Sequence, residues 1–331
     1  MQMRKLAVTA AIALALAGST AALAQQKLKF AHVYETTEPY HQVAVWAAGE
    51  IAKRTSNRYT MEVFPASSLG SEVQLNQALT LGTVDVIYTG QLFAGRAYGP
   101  ISIGGAPFVF RDFDHWQKFT KSKLFSDLSE GYSKGSGGNE VLALTYYGNR
   151  QTTSNKPLNK PEDMRGLKIR VPEAPLYTLF PKAVGANPTP IAFAEVYLAL
   201  QNKTVDAQEN PLPTIDAKKF YEVQTHINIT AHITDGILTI VAGPTWSKLS
   251  DADRKTFRAI FQEASALASK QIVENEKRLM TEFTKRGTTV VMVDRKPFMA
   301  AVQKFYAEGK QPTGEALPWP KDIYDRLQAI K

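Results

Sequence analysis

One uninterrupted amphipathic run near the C-terminal end constrains the fold most. Ser250, followed three residues on by Asp253, has the form of a helix N-cap. Apolar residues then recur at helical spacing, through Phe257, Ile260, Phe261, Ala264, Leu267, Ile272, Leu279 and Phe283, until Arg286 and Gly287. A helix of that span is roughly 45 Å long at 1.5 Å per residue. That exceeds the width of one small lobe, so the helix is expected to cross two lobes as a spine.

The preceding sequence supplies two lobes. "KLKFAHVY" reads as a strand with Leu28, Phe30, His32 and Tyr34 on one face, "YHQVAVWAAGEIAKRT" as a helix, and "YTMEVFP" as a second strand closed by Pro65. Ser71 caps a helix over "EVQLNQALTL", Gly82 ends it, and "VDVIYTG" is the next strand. This β-α-β-α-β order predicts an α/β sheet with helices on its faces. The grammar repeats: "LKIRVP" is a strand, "APLYTLFPKAVG" and "AFAEVYLALQNK" are helices, and "TVDAQENP" and "HITDGILTIV" are strands. Ala78, Leu79, Thr83, Val84 and Asp85 recur as Ala199, Leu200, Thr204, Val205 and Asp206, an offset of 121 positions. Two lobes joined by several crossings enclose a cleft, where small ligands usually bind.

The N-terminus reads as a secretory signal peptide. Arg4 and Lys5 precede the apolar run "LAVTAAIALALAG", and "ALA" at 22–24 places small residues before a cut ahead of Gln25. The chain contains no cysteine, which rules out thiol catalysis, cysteine-ligated metal and a lipid-modified cysteine anchor. A net charge of +8 is spread along the chain without a basic run, so it points to attraction of small anions and not to nucleic acid.

Enzyme signatures are missing. The sequence has no G-x-S-x-G, H-E-x-x-H, Walker A or G-x-G-x-x-G motif, and "GSGGN" at 135–139 reads as a surface turn. His226 and His232 could share a strand face but lack the further ligands of a metal site. Glu195 and Glu209 show no partner for acid-base work. His32, near the end of the first strand, could reach a ligand at a cleft mouth. Arginine gives the clearer signal. Arg150 follows the strand "VLALTYYGN", and in "GLKIRVPEAP" Arg170 and Lys168 face away from Leu167, Ile169 and Val171. The guanidinium fork matches a carboxylate with two parallel hydrogen bonds, and Asn210 beside Pro211 adds an amide at a strand end.

The run "GLKIRVPEAPLYTLFPKAVGANPTPIAFAEVYLALQNKTVDAQENPL" (166–212) resembles the core signature of the solute-binding proteins of TRAP transporters, the tripartite ATP-independent periplasmic carriers. "VFPASSLGSE", "APFVFRDFDHW" and "YYGNRQTTSNKPLNKPEDMRGLKIR" agree, so the likeness covers essentially the whole chain after the leader. The resemblance implies the two-lobe periplasmic binding protein fold, α/β, with the ligand cleft between lobes and the long helix spanning both. The expected division is a signal peptide at 1–24, one lobe from 25–148 plus 236–275, and the other from 149–235 plus 276–331. It implies a periplasmic receptor that closes on a small organic acid and delivers it to a membrane permease, as a monomer and with no cofactor or metal. Arg170 would clamp the ligand carboxylate, Arg150, Asn210 and Phe193 would assist, and Glu72 with Tyr88, Thr89 and Gln91 would shape the rest of the pocket. Two positions depart from the family pattern: Ala207 stands where glycine is common, and Gly90 where relatives that bind large or polyhydroxy acids can carry a polar side chain, so sialic-acid specificity is not carried over. A sensor module that presents its ligand to a kinase, and a periplasmic enzyme acting on an organic acid, are the alternative readings.

Overall fold

The computed structural model describes residues 25–331, and the expected signal peptide lies outside them. The helix-to-strand echo is a repeated structural device. Strand β1 (Gln26–Ala31) is followed by α1 (Pro39–Arg54), β2 (Tyr59–Phe64), α2 (Glu72–Leu81) and β3 (Val86–Gly90). In this first copy the amides of Thr83 and Val84 donate back to the Ala78 carbonyl, the Asp85 amide donates to Lys29 O, and the Asp85 carboxylate accepts from Lys29 N at 2.8 Å. In the second copy Thr204 and Val205 donate to Ala199 O, the Asp206 amide donates to Lys168 O, and its carboxylate accepts from Lys168 N at 3.0 Å. The aspartate of each "T-V-D" thus stitches the third strand of its lobe to the first. Gly82 ends α2 at φ 69°, a left-handed conformation that glycine adopts without strain.

The remaining strands are β4 (Glu140–Ser154), β5 (Lys168–Val171), β6 (Asn187–Pro190), β7 (Ala207–Pro211), β8 (His226–Val241) and β9 (Thr289–Met292). They form one nine-stranded sheet in the order β2-β1-β3-β8-β4-β7-β5-β6, with β9 on β8. Each end is a parallel trio, β2-β1-β3 and β6-β5-β7, while β4 and β8 run antiparallel through the middle and belong to both halves. Several expectations need correction. The segment expected as a helix over 174–185 is a 3-10 turn followed by the five-residue helix Leu179–Ala183, and 192–203 is a 3-10 turn running into Val196–Gln201. The strand expected over 232–241 begins at His226 and has 16 residues. Arg150 lies inside β4 and not beyond it.

The long helix forms as α4 (Asp251–Lys285), preceded by α3 (Leu212–Ala217) and capped by the Ser250 hydroxyl, which accepts from Asp253 N. Its buried face is shared between two cores. Phe257, Ile260, Phe261, Ala264, Ala268 and Ile272 pack into the larger one, whereas Leu279 and Phe283 join Val196, Leu200, Leu212 and Phe220 in the second. Leu267, expected in the core, is 45% exposed. Ion pairs tie the helix to both halves, from Glu263 to Arg54 on α1 and from Arg286 to Asp216 on α3. Among the described residues, no helix is long and apolar enough to cross a membrane.

Between the two cores, Glu276 of α4 grips the central strand. Its Oε2 accepts from the Tyr146 hydroxyl at 2.9 Å and its Oε1 from Asn149 N at 2.7 Å, where β4 bulges at Gly148 (φ 117°). Burial raises the Glu276 carboxyl from 4.5 to about 7. Between those values the folded chain holds the proton and the unfolded chain has released it, so this group's contribution to stability falls as pH rises through that window. Replacing Glu276 with Gln keeps a polar partner for both groups and removes the ionisation. Thermal melts should show E276Q more stable than the parent by a few °C at pH 8, with the gain vanishing at pH 5; an equal difference at both pH values would refute the buried-carboxyl account.

Candidate ligand cleft

Residues from both halves converge on a cleft lined by Tyr34, Glu72, Gly90, Tyr147, Arg150, Arg170, Glu173, Tyr177, Phe193, Asn210 and Asp235, surrounding about 480 Å³ of space free of protein atoms. Clefts between lobes are where small ligands usually bind. The rim is drawn together by hydrogen bonds between segments distant in sequence. Tyr40 donates to Tyr147 O at 2.8 Å, Thr214 donates to the Glu38 carboxylate at 2.7 Å, Lys218 pairs with Glu35 at 2.7 Å, and Arg96 donates to Glu173 O.

Arg170 enters from β5 and is only 2% exposed, whereas Lys168, on the same strand face, is exposed. The segment after β6 makes the difference. Its Ile191 carbonyl accepts from Arg170 Nε and Nη2 at 2.9 and 2.7 Å, and the Phe193 ring lies 6.0 Å from the guanidinium. Nη1 is buried and has no hydrogen-bond partner among the described residues. Burial lowers the guanidinium to about 10, with Glu209 opposing and Arg150 adding to that effect. A buried, partly unpaired cation of this kind is costly unless something completes it.

Arg150 is in the opposite condition. Its Nε and Nη2 pair with the Glu209 carboxylate, its Nη1 with Asp235 at 3.1 Å, and Nη2 also reaches Glu209 O and Asn210 Oδ1. It lies between the rings of Tyr147 and Tyr177, at 5.7 and 5.1 Å. Glu209 therefore has partners that the sequence did not reveal. Burial alone would raise its carboxyl, but Arg150 and His232 hold it down to about 2. His232 bonds Glu209 at 3.2 Å and stacks on Phe180 at 4.2 Å, a structural role, while His226 sits next to Thr225 at the start of β8. Arg150 reaches the wall already neutralised by two carboxylates.

Asn210 faces the cleft with its Oδ1 accepting from the Tyr147 hydroxyl at 3.2 Å and its amide donating to Gln208. Glu72, the first residue of α2, turns its carboxylate onto β3, where Oε1 accepts from Thr89 Oγ1 at 2.8 Å and Gly90 N at 2.7 Å. Four expected residues lie behind the wall and do not line it. Thr89 supports Glu72, Gln91 packs against Gly104, Tyr88 packs edge-on to Phe30 at 4.7 Å, and His32 contacts His41 at 3.4 Å beneath Tyr34. Burial, with His41 adding to it, lowers His32 to about 3, so it is neutral there.

The arrangement is a cleft between two lobes in which one buried guanidinium nitrogen lacks a partner among the described residues. Residues 30–311 match the family described as bacterial extracellular solute-binding protein, family 7 (DctP). The chain belongs to this family. It is 35% identical over 270 residues to the sialic acid-binding periplasmic protein SiaP of Vibrio cholerae serotype O1, covering 82% of this chain and 84% of that one. It is 32% identical over 306 residues to the 2,3-diketo-L-gulonate-binding periplasmic protein YiaO of Escherichia coli K12, covering 91% and 92%. A crystal structure of a TRAP periplasmic solute-binding protein from Polaromonas sp. JS666 with bound D-erythronate shares its fold, with a TM-score of 0.86 at 33% identity over 92% of this chain and 99% of that one. Family 7 proteins and these structural relatives are binding proteins and not enzymes, and they share the two-lobe fold.

The family 7 cleft also contains groups that the sequence did not single out. Tyr34 could have been flagged, because it continues the alternation of Leu28, Phe30 and His32 just past the end of β1. Asp235 carried a signal too, as the one acid in the otherwise uncharged stretch "ITDGILTIV". Tyr147, Glu173 and Tyr177 gave none that separates them from ordinary core or loop residues.

Proposed function

We propose that this protein is the periplasmic receptor of a TRAP transporter, exported with cleavage before Gln25, which captures a small organic acid through Arg170 and delivers it to the membrane permease. One observation carries the reading: a buried arginine whose Nη1 has no partner among the described residues opens onto a cleft between lobes. A ligand carboxylate supplies that partner, and burial strengthens the resulting charge-assisted bonds. Arg150 acts with Asn210 as a preorganised wall and not as a second clamp, because its charge is balanced by Glu209 and Asp235.

The lobes are 25–148 plus 236–275 and 149–235 plus 276–331. This division is supported by the way its three crossings fall side by side: Gly148 pairs with Asp235, and Glu276 holds the Asn149 amide. Closure then bends the chain at the β4 bulge and around Glu276, and the ligand shifts the population by favouring the closed form. A thermal-shift screen over mono- and dicarboxylic, hydroxy, keto and sugar acids tests the proposal. At least one acid should raise the melting temperature by several °C, since ligand at a thousand times its dissociation constant adds about 4 kcal/mol. A flat response to every acid would contradict it.

A further inference from the structure

Charge and hydrogen-bonding capacity are sorted unevenly around the cleft. Arg170 presents the one buried guanidinium donor left without a partner among the described residues. The other charged groups on the wall are Arg150, Glu72, Asp235 and Glu173. Arg150 is bound to Glu209 and Asp235. Lys218, whose ammonium lies 5.2 Å from the Phe193 ring centroid, is tied to Glu35. The cleft therefore has one positive charge to offer, and acidic groups on the rest of its wall. Glu72 also comes from the lobe that does not carry Arg170.

These acids are placed to accept hydrogen bonds. Glu72 uses Oε1 for Thr89 and Gly90, while its Oε2 makes no hydrogen bond to the described residues. Asp235 accepts from Gly236 N at 2.8 Å and from Arg150 at 3.1 Å, and each carboxylate oxygen has a second lone pair. The tyrosine hydroxyl of residue 177 lies in the same corner: a Cβ on Gly90 would meet it at 3.1 Å and the Glu72 oxygen at 3.8 Å. Gly90 is therefore not the loss of a polar contact, because Tyr177 and Glu72 supply polar atoms where a side chain at position 90 would sit.

We infer that the natural ligand is a hydroxylated monocarboxylate, such as a small aldonic acid, whose hydroxyl groups donate to Glu72 and Asp235 while its single carboxylate meets Arg170. A second carboxylate would face Asp235 and Glu173 without a free cation and would be repelled, while Glu72, raised by burial from 4.5 to about 7, adds less to that repulsion. A plain fatty acid would leave Glu72 Oε2 without a hydrogen-bond donor, which discriminates against a missing hydroxyl. This inference rests on the solute-binding reading above.

Calorimetry of the intact mature protein with chain-matched sets tests it: erythronate, succinate and butyrate at four carbons, and gluconate, adipate and hexanoate at six. In at least one set the hydroxy acid should bind on the order of 100-fold more tightly than both the diacid and the fatty acid. Glu72→Gln, which retains the size and one acceptor oxygen, should weaken the hydroxy acid about tenfold and narrow its lead over the diacid. Asp235→Asn provides a second variant if E72Q does not fold. A diacid or fatty acid that binds as tightly as the hydroxy acid would overturn the inference while leaving the organic-acid receptor intact. No binding of any of the six, together with a flat thermal-shift screen, would overturn both.

Discussion

Replacing Arg170 with methionine is expected to raise the melting temperature of the ligand-free protein while weakening capture of its acid by about 10²–10³-fold. Both parts follow from one geometry. In the cleft the guanidinium is buried, has two of its nitrogens on the Ile191 carbonyl, and leaves Nη1 without a partner among the described residues. Burial has lowered its affinity for the proton to about 10. A charge held this way costs stability, and an apolar side chain of similar length removes that cost. With ligand bound, the same donor is completed by a carboxylate in a water-poor site, where losing one partner costs roughly 2–5 kcal/mol, or about 10²–10³-fold near the middle of that range. Arg170→Lys should fall between, since it keeps a charge but loses the planar fork. Melting curves without ligand and calorimetry with it check the two halves separately. A variant that lost stability and kept its affinity would show that Arg170 is structural.

Arg150→Met should do the reverse, with a drop of about 3–5 kcal/mol in folding stability, enough to lower the melting temperature by several °C or more. The arginine holds two buried carboxylates, Glu209 and Asp235, and removing it leaves both without a cation. Glu209 now ionises well below its ordinary range. Its contribution to stability is therefore present above that range and lost only as pH falls toward about 2. Without Arg150, burial dominates, the two carboxyls prefer the protonated form, and their contribution to stability declines as pH rises. The deficit of R150M should therefore be larger at pH 8 than at pH 5. A pH-independent deficit would mean that lost packing against Tyr147 and Tyr177, and not uncompensated charge, is responsible.

Local signals in the sequence carried much of the fold. The Ser71 cap with Gly82, the Ser250 cap of α4 and the repeated "T-V-D" step all depend on residues within a few positions of one another, and each appears in the structure. The helical spacing also anticipated a spine shared by two cores. The central part of the sheet was harder to read, because β4 and β8 pair residues from about 70 to about 100 positions apart, and the bulges that shift their register leave no periodic trace. The same distance explains the gaps in the site. Arg150, Glu209 and Asp235 form one cluster from three strands, yet nothing near any one of them indicates the others. Arg170 was visible as a charge on a strand, but alternation alone gave it the same surroundings as Lys168. Its burial comes from Ile191 and Phe193, which the chain brings over it only after β6. Motif resemblance identified the arginine, but it also pointed to Tyr88, Thr89 and Gln91, and strand position pointed to His32; all four support the wall from behind.

The most direct test is a crystal structure of the protein with whichever acid gives the largest thermal shift. The account predicts the ligand carboxylate within hydrogen-bonding distance of Arg170 Nη1, inside the cleft and shielded from solvent by both lobes. Finding the carboxylate elsewhere, with Nη1 still unpaired, would contradict it.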